Sequence, residues 1–582
     1  MIRKENTPRY LLSLFLFLTG LNLFSQDIEK SLQDAKNIIH EDPIKMTGSI
    51  NASTVFYEAF GIPPRRDPFY WVLNANLTFV LFNKVSVPFS ATFTQQDKNF
   101  TNGLDKFSQP FNQFGISPKY KWLTVHAGYR TMNFSDYTYS GTMFLGGGVE
   151  INPEKSLVSG SAFFGRLVKA VPVGGVSGVV VSVPAYERWG GGGKVKLGTN
   201  DNFGELILFR AKDSKTSIPF DTSLKVLPAE NQVIGITTKQ KINNYVNAEG
   251  SFSYSMYTTN LYEDVAKIER FTYINKIYSP RPSSQFNKAM VFAINFTPEK
   301  FKFGFKYKRI DPDYKTMGAI FLTNDIEEYS ANTNFSLYKN KINLSTSAGF
   351  QQNNLDKIQT FTSKRIIGSV NGTYNITPTF NINVNYSNFS SNTIPIRNVF
   401  NDSIKLVQLT QSGSFNANYA FGKEKIKHTF NFSSTYQESG GNKQATTKFG
   451  NGNLSYCLML VKIQLNVNAG ILYNQTINAA NTNQAVGPTV GLQKSFLNRT
   501  LRCSINSSYQ IAQLNQKTIN KNLIGNLSIN YAINKTNSFK LDANYLQKQA
   551  EVVGAQNFSE YRITIGYLCN FSASSKKIFK KE

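Results

Sequence analysis

Three cysteines and three histidines in 582 residues leave little material for metal or redox chemistry. Cys457, Cys503 and Cys569 show no CxxC spacing and an odd total, so neither a disulfide framework nor a zinc site is indicated, and each reads as a small apolar strand residue. His40, His126 and His428 are scattered, and a lone histidine in a strand more often lines a wall than binds a metal. Charge is also scarce, at 17% of residues against about 25% in soluble domains. Beyond the N-terminal segment, no run approaches the roughly 20 apolar residues of a transmembrane helix. There is no GxSxG and no paired His/Asp/Ser spacing, so catalysis is not expected. Gly190 to Gly193 is not a phosphate loop, since no GK[ST] follows and it opens a strand; its glycines suit a bend or close packing. No catalytic residue, cofactor or metal is assigned.

Aromatic residues, by contrast, make up 13% of the chain, while mean hydropathy is −0.29. The pattern explains how both hold. From Phe380 to Ser387, Phe380, Ile382, Val384 and Tyr386 alternate with Asn381, Asn383, Asn385 and Ser387, which gives a strand one apolar and one polar face. The same dyad recurs from about residue 46 to 571. Such repetition, broken alternately by short turns and longer polar loops, is the sequence signature of a transmembrane antiparallel up-and-down β-barrel.

Short turns at Asn83-Lys84, Ser117 to Lys121, Asn152 to Lys155, Thr199 to Asn202, Lys241 to Asn244, Thr297 to Lys300, Lys339 to Lys341, Thr377 to Thr379, Gly422 to Lys425, Val461-Lys462, Leu497 to Arg499 and Asn534 to Asn537 define hairpins. With a first strand near 48–58 and a last near 560–571 they predict about 26 strands, within a range of 24 to 28. Longer connections fall at 171–187, 212–230, 259–286, 309–327 and 389–403. Barrels of this kind keep short turns and both chain ends in the periplasm, and closure spares the first and last strands an unpaired edge in hydrocarbon.

The expected organisation is a signal peptide over 1–25, a short periplasmic segment over 26–45, the barrel over 46–571 and a basic periplasmic tail over 572–582. Arg3, Lys4 and Arg9 precede the apolar run Leu11 to Leu18, and cleavage is expected between Ser25 and Gln26. Ile28 to His40 has the spacing of one short helix. The last strand, in which Tyr561, Ile563, Ile565 and Tyr567 alternate with Arg562, Thr564 and Gly566 before Phe571, resembles the C-terminal targeting strand of outer-membrane proteins. It departs from that pattern at Cys569 and in the tail that follows.

Two segments, FGISPKYKWLTVHAGYRTMNFSDYTYSGTMFLGGG from Phe114 to Gly148 and RIDPDYKTMGAIFLTND from Arg309 to Asp325, resemble a group of large outer-membrane barrels of Bacteroidota, porin-like and without a plug domain. The Asn- and Lys-rich composition suits that source. The resemblance implies fold and an outer-membrane location and supplies no site residue. TonB-dependent transporters and lipopolysaccharide export barrels carry a substantial folded domain, for which 26 to about 45 offers no room.

The net charge of +26 would suggest nucleic acid in a soluble protein, but an exported barrel does not meet it and no recognition motif is present. Lys84, Lys119, Lys121, Lys155, Lys241, Lys300, Lys339, Lys341, Lys423, Lys425, Lys462 and Lys535 sit at short turns and predict a basic periplasmic rim, facing lipid phosphates or an acidic periplasmic partner. Within strands, Lys302, Lys306 and Lys308 alternate with Phe301, Phe303, Phe305 and Tyr307, and His126 and Arg130 with Val125, Ala127 and Tyr129. Placing the aromatics in lipid puts these cations in the lumen, since the reverse would cost about 2–4 kcal/mol per lysine near the midplane. A solvated, unselective wall is an equal reading.

Loop 171–187 is apolar for an exterior connection, and either folds inward as a constriction, contacts another subunit or prolongs its two strands. The expected function is a passive outer-membrane pore with a preference for anions, in contact with outer-membrane lipid. The alternative is a structural or accessory subunit of an outer-membrane machine for protein export, barrel assembly or lipid handling, with outer-membrane or periplasmic protein partners.

Overall fold

The computed structural model describes residues 44–574 apart from 96–112, 155, 173–174, 177–178, 181–183, 220–225, 268–273, 321, 360, 396–405 and 442–445. The expected signal peptide, the 28–40 helix, Lys155 and most of the tail therefore lie outside the described residues.

One sheet contains 27 segments, and Gln113–Ile116 and Lys119–Tyr120 are two parts of one strand because both pair with the same two neighbours. The result is 26 antiparallel strands, as the turn pattern predicts. Ile44–Phe60 pairs with Phe558–Ser574 from Lys45↔Ser574 to Phe60↔Ser559, so no edge remains. The wall thus begins two residues before and ends three after the expected limits. Each expected short turn falls between paired strands, that at Asn152 apart from Lys155, and that at Ser117 shifted to 121–122 by the resumed pairing of Lys119 and Tyr120.

The outward face is apolar for the reason the alternation gives. Val384, Tyr386, Phe415, Phe432, Leu454, Ile471, Val490, Ile505 and Ile563 stand exposed on it, the surface hydrocarbon requires. Aromatic pairs cluster near both rims. Phe421 stacks on His428 at 4.7 Å near the short turns, and Phe60 meets Tyr561 at 5.9 Å near the other end, where aromatic girdles meet the bilayer interfaces. His428 is thus an outward girdle residue whose Nδ1 lies 2.7 Å from the Tyr456 hydroxyl.

The inward face differs around the circumference. From Phe361 to the last strand it is lined mainly by asparagine, serine and threonine, many of which bond across strands. The Thr373 hydroxyl donates to Asn383 at 2.8 Å, Asn385 donates to Ser414 at 3.1 Å, and Asn418 donates to Asn431. These strands are long, 18 residues in Leu406–Lys423 and 17 in Phe361–Thr377, where about 9–11 suffice to cross a bilayer. The expected loop 389–403 accordingly begins later than the turn residues imply, since pairing continues to Pro395.

In the earlier part of the wall the strands are shorter, nine residues in Leu123–Thr131 and Met143–Ile151, and two of the connections return into the lumen. Every buried hydrophobic residue among those described lies at or before Ile326. That asymmetry locates the site.

Candidate functional site

Two connections from the long-loop end, 132–142 and 311–325, meet inside the barrel. They are joined by a parallel pairing of Tyr139–Ser140 with Gly318–Ala319 and by the bridge between Gly141 and Ala319. Side chains complete this clasp. The Tyr314 hydroxyl donates to the Tyr137 carbonyl at 2.6 Å, Thr316 to the Thr138 carbonyl at 2.7 Å, and Thr142 to the Gly318 carbonyl at 2.9 Å.

The clasp docks on inward residues of the strands Met143–Ile151, Val158–Val168, Phe203–Asp213 and Glu230–Lys241. Met132, Phe134, Tyr139 and Met317 pack with Phe144, Phe163, Leu167, Ile207, Phe209 and Val233 in one buried cluster. Tyr139 is fully enclosed, with its ring 4.3 Å from Phe163 and 5.4 Å from Phe209. Each such side chain contributes about 1.5–3 kcal/mol by leaving water. Burial also holds the Tyr139 phenol well above its ordinary pKa, so it remains a neutral donor, here to the Thr142 carbonyl.

Close approach requires gaps in the wall, and glycine supplies them. A Cβ on Gly192 would stand 3.0 Å from the Phe134 ring and 2.7 Å from the Leu208 carbonyl; on Gly235 it would stand 2.7 Å from Thr138. The glycine run at 190–193 therefore admits close packing, one of its two expected roles. Polar pins fix the depth. Buried Asn231 donates to Ser255 at 2.8 Å and accepts the Met317 N–H at 3.0 Å, and Ser255 donates to the Lys315 carbonyl at 2.6 Å.

The expected lumen residues fall in two groups. Lys306 and Lys308 lie on the inward face with Ile310, and both approach Glu328, at 3.8 and 3.0 Å. Lys302 is on the same face, opposite Asn334. His126 and Arg130 line a separate strand: His126 Nδ1 is 2.8 Å from the Ser117 hydroxyl and its Nε2 is 3.5 Å from Glu150, while Arg130 donates to Ser90 at 2.7 Å. The structure therefore does not bring the five together in one patch. Most meet an inward carboxylate or hydroxyl, which parity places on a face but cannot pair.

Other inward cations behave alike, with Arg188 on Asp213 at 2.7 and 3.1 Å and Lys239 on Glu249 at 3.5 Å. Of the rim lysines, Lys84, Lys119, Lys121, Lys241, Lys300, Lys339, Lys341, Lys423, Lys425, Lys462 and Lys535 all lie at or beside short turns on one end of the barrel, where Ile44 and Ser574 also stand.

Loop 171–187 is a paired hairpin among its described residues. Val171 pairs with Ala185, and Gly175–Val176 with Val179–Val180, so it prolongs its two flanking strands as a hairpin. The inward elements are those that the sequence marked on other grounds: the clasp is drawn from both segments that carry the family resemblance.

No family model and no curated protein matches the chain. Among solved structures it is similar to the FrpB iron transporter from Neisseria meningitidis, at 10% identity and a TM-score of 0.39 over 90% of this chain and 81% of that one. The P pilus usher PapC translocation pore gives 8% and 0.35 over 91% and 100%. Pseudomonas aeruginosa OccK2 gives 9% and 0.29 over 90% and 98%. Scores of this size do not reach strand arrangement, and the fold rests on the pairing described above.

Proposed function

We propose that this chain is a passive diffusion pore of the outer membrane, exposed to small polar solutes, with a weak preference for anions. The observation that carries the reading is the mismatch between wall and filling. Twenty-six strands spaced about 4.8 Å apart and tilted about 40° enclose a lumen roughly 50 Å across at the backbone. A clasp of two short connections held against one side narrows such a space without filling it. The facing wall is rich in asparagine, serine and threonine, with scattered charges such as the Lys540–Asp542 pair, and so is polar, which suits passage of polar solutes.

Anion preference follows from Lys302 and from the surplus of two ammonium groups over one carboxylate at Lys306, Lys308 and Glu328. It is weak because the neighbouring cations are paired. A bilayer location is supported by the apolar outer face between two aromatic girdles, and export by the basic N-terminal segment. The rim lysines support contact with anionic lipid headgroups or with an acidic periplasmic partner. Planar-bilayer recording on the purified chain tests the reading. Stable ohmic conductance with an anion-to-cation permeability ratio modestly above one is expected, and silence across salts and voltages would refute it.

A further inference from the structure

Between the clasp and the strand Phe301–Ile310 the lumen holds a cleft of about 530 Å³, bounded by Asp136, Tyr137, Lys308, Ile310, Leu322 and neighbouring residues of both connections. Its size is that of a small-molecule site, for which about 300–1,000 Å³ is usual. Its two lips carry opposite charge. On the wall side, Lys308 and Lys306 share Glu328, leaving one ammonium in excess. On the clasp side, Asp136 makes no ion pair with another described residue. The rest of the lining combines the apolar Ile310, Ala319, Leu322 and the well exposed Ile320 with Ser140, Gly141 and Thr323. Burial, then Asp136 and Glu328, push the Tyr137 phenol up to about 12, so it stays protonated.

A ligand matched to these features needs an anionic end, a cationic end and an apolar body. We propose that the cleft is a recognition site for zwitterionic amino acids or short peptides with apolar side chains, the carboxylate toward Lys308 and the ammonium toward Asp136. This rests on the pore reading in that the cleft then lies on the solute's path. Simple anions satisfy one lip only, and neutral sugars satisfy neither.

The test uses the full chain in planar bilayers with leucyl-leucine as probe and its N-acetylated, C-amidated form as control. Leucyl-leucine should interrupt the current at about a hundredfold lower concentration than the capped peptide, about tenfold for each charged end, as loss of charged hydrogen bonds implies. Lys308→Met and Asp136→Asn should each remove about tenfold of that advantage, while Lys540→Met, twelve strands further round the wall, should change nothing. Equal block by the capped peptide, or unchanged block in both variants, overturns the site.

Calorimetric titration of leucyl-leucine into detergent-solubilised protein separates the two readings. Binding without conductance refutes the pore and keeps the cleft; conductance without binding refutes the cleft alone. Heat-resistant migration of each variant on a gel confirms a closed barrel, and Asp136→Asn, conservative and on a connection, keeps the test open if Lys308→Met does not fold.

Discussion

Between Gln113 and Ile326 the barrel wall has short strands, apolar residues on both faces and two connections folded against its inner side. From Ile342 to Ser574 it has longer strands and an inner face of amides and hydroxyls, with no buried hydrophobic residue among those described. Both parts obey the same pairing and closure rules, so hydrogen bonding does not distinguish them. What differs is the solvent of the inner face. In the first part the clasp covers it; in the second the described residues leave it open to solvent. A closed barrel leaves each inward position free to choose, because backbone groups are satisfied either way.

The covered inner face depends most on Tyr139. Tyr139→Ala removes the ring at the centre of the clasp and should cost about 3–5 kcal/mol of local stability, seen as new tryptic cleavage at Lys315 and a larger, noisier conductance. Asn383→Ala, on the hydrated side, should alter neither. A barrel whose conductance is indifferent to Tyr139→Ala would show that the clasp does not narrow the path.

Overpacking comes next. Gly192→Ala drives a methyl into Phe134 and the Leu208 carbonyl and should cost about 1–3 kcal/mol, read as a lowered thermal transition of the clasp. Gly566→Ala, also inward but with its nearest neighbour 3.8 Å from the added carbon, should be silent. Asn231→Ala leaves the Met317 N–H and the Ser255 hydroxyl short of a partner at a cost of about 1–3 kcal/mol, measurable as faster amide exchange at Met317. Asn385→Ala, at an exposed residue bonded to Ser414, should fall within about 0.5 kcal/mol. Smallest of all, Lys302→Gln should lower the anion permeability ratio by less than twofold, since Lys306 and Lys308 remain; a reversal to cation preference would contradict the charge count.

The second part of the molecule was legible in the sequence because one face is apolar and the other is not. Phe380 to Ser387 shows lipid and lumen in eight residues, and strand number and closure follow from repeating that reading. The first part was legible only as strands. In Leu206, Ile207, Leu208 and Phe209 the alternation vanishes, since Leu206 and Leu208 meet lipid while Ile207 and Phe209 meet the clasp. That loss of period was itself the signal of an occupied inner face, and it recurs at Phe163 and Phe164. Which connection fills the space could not be read from it, because the apolar loop 171–187 is the more hydrophobic candidate and the clasp is held as much by Thr138, Thr142, Thr316 and Asn231 as by its rings. Ion pairing of the lumen cations was equally hidden, since Lys308 and Glu328 are partners only through the register of two strands.

The division of the inner face into a dry and a wet part is tested most directly by a charged methanethiosulfonate reagent. Cys457, paired to Asn468 on the inward face of the hydrated part, is a probe already in place, while Cys503 and Cys569 share the outward face with Ile529 and Ile50. With those two replaced by serine, Cys457 should react readily in the intact barrel, and a Val233→Cys thiol in a chain lacking the three native cysteines should react about a hundredfold more slowly, because the clasp must open first. Equal rates at the two positions would contradict the account.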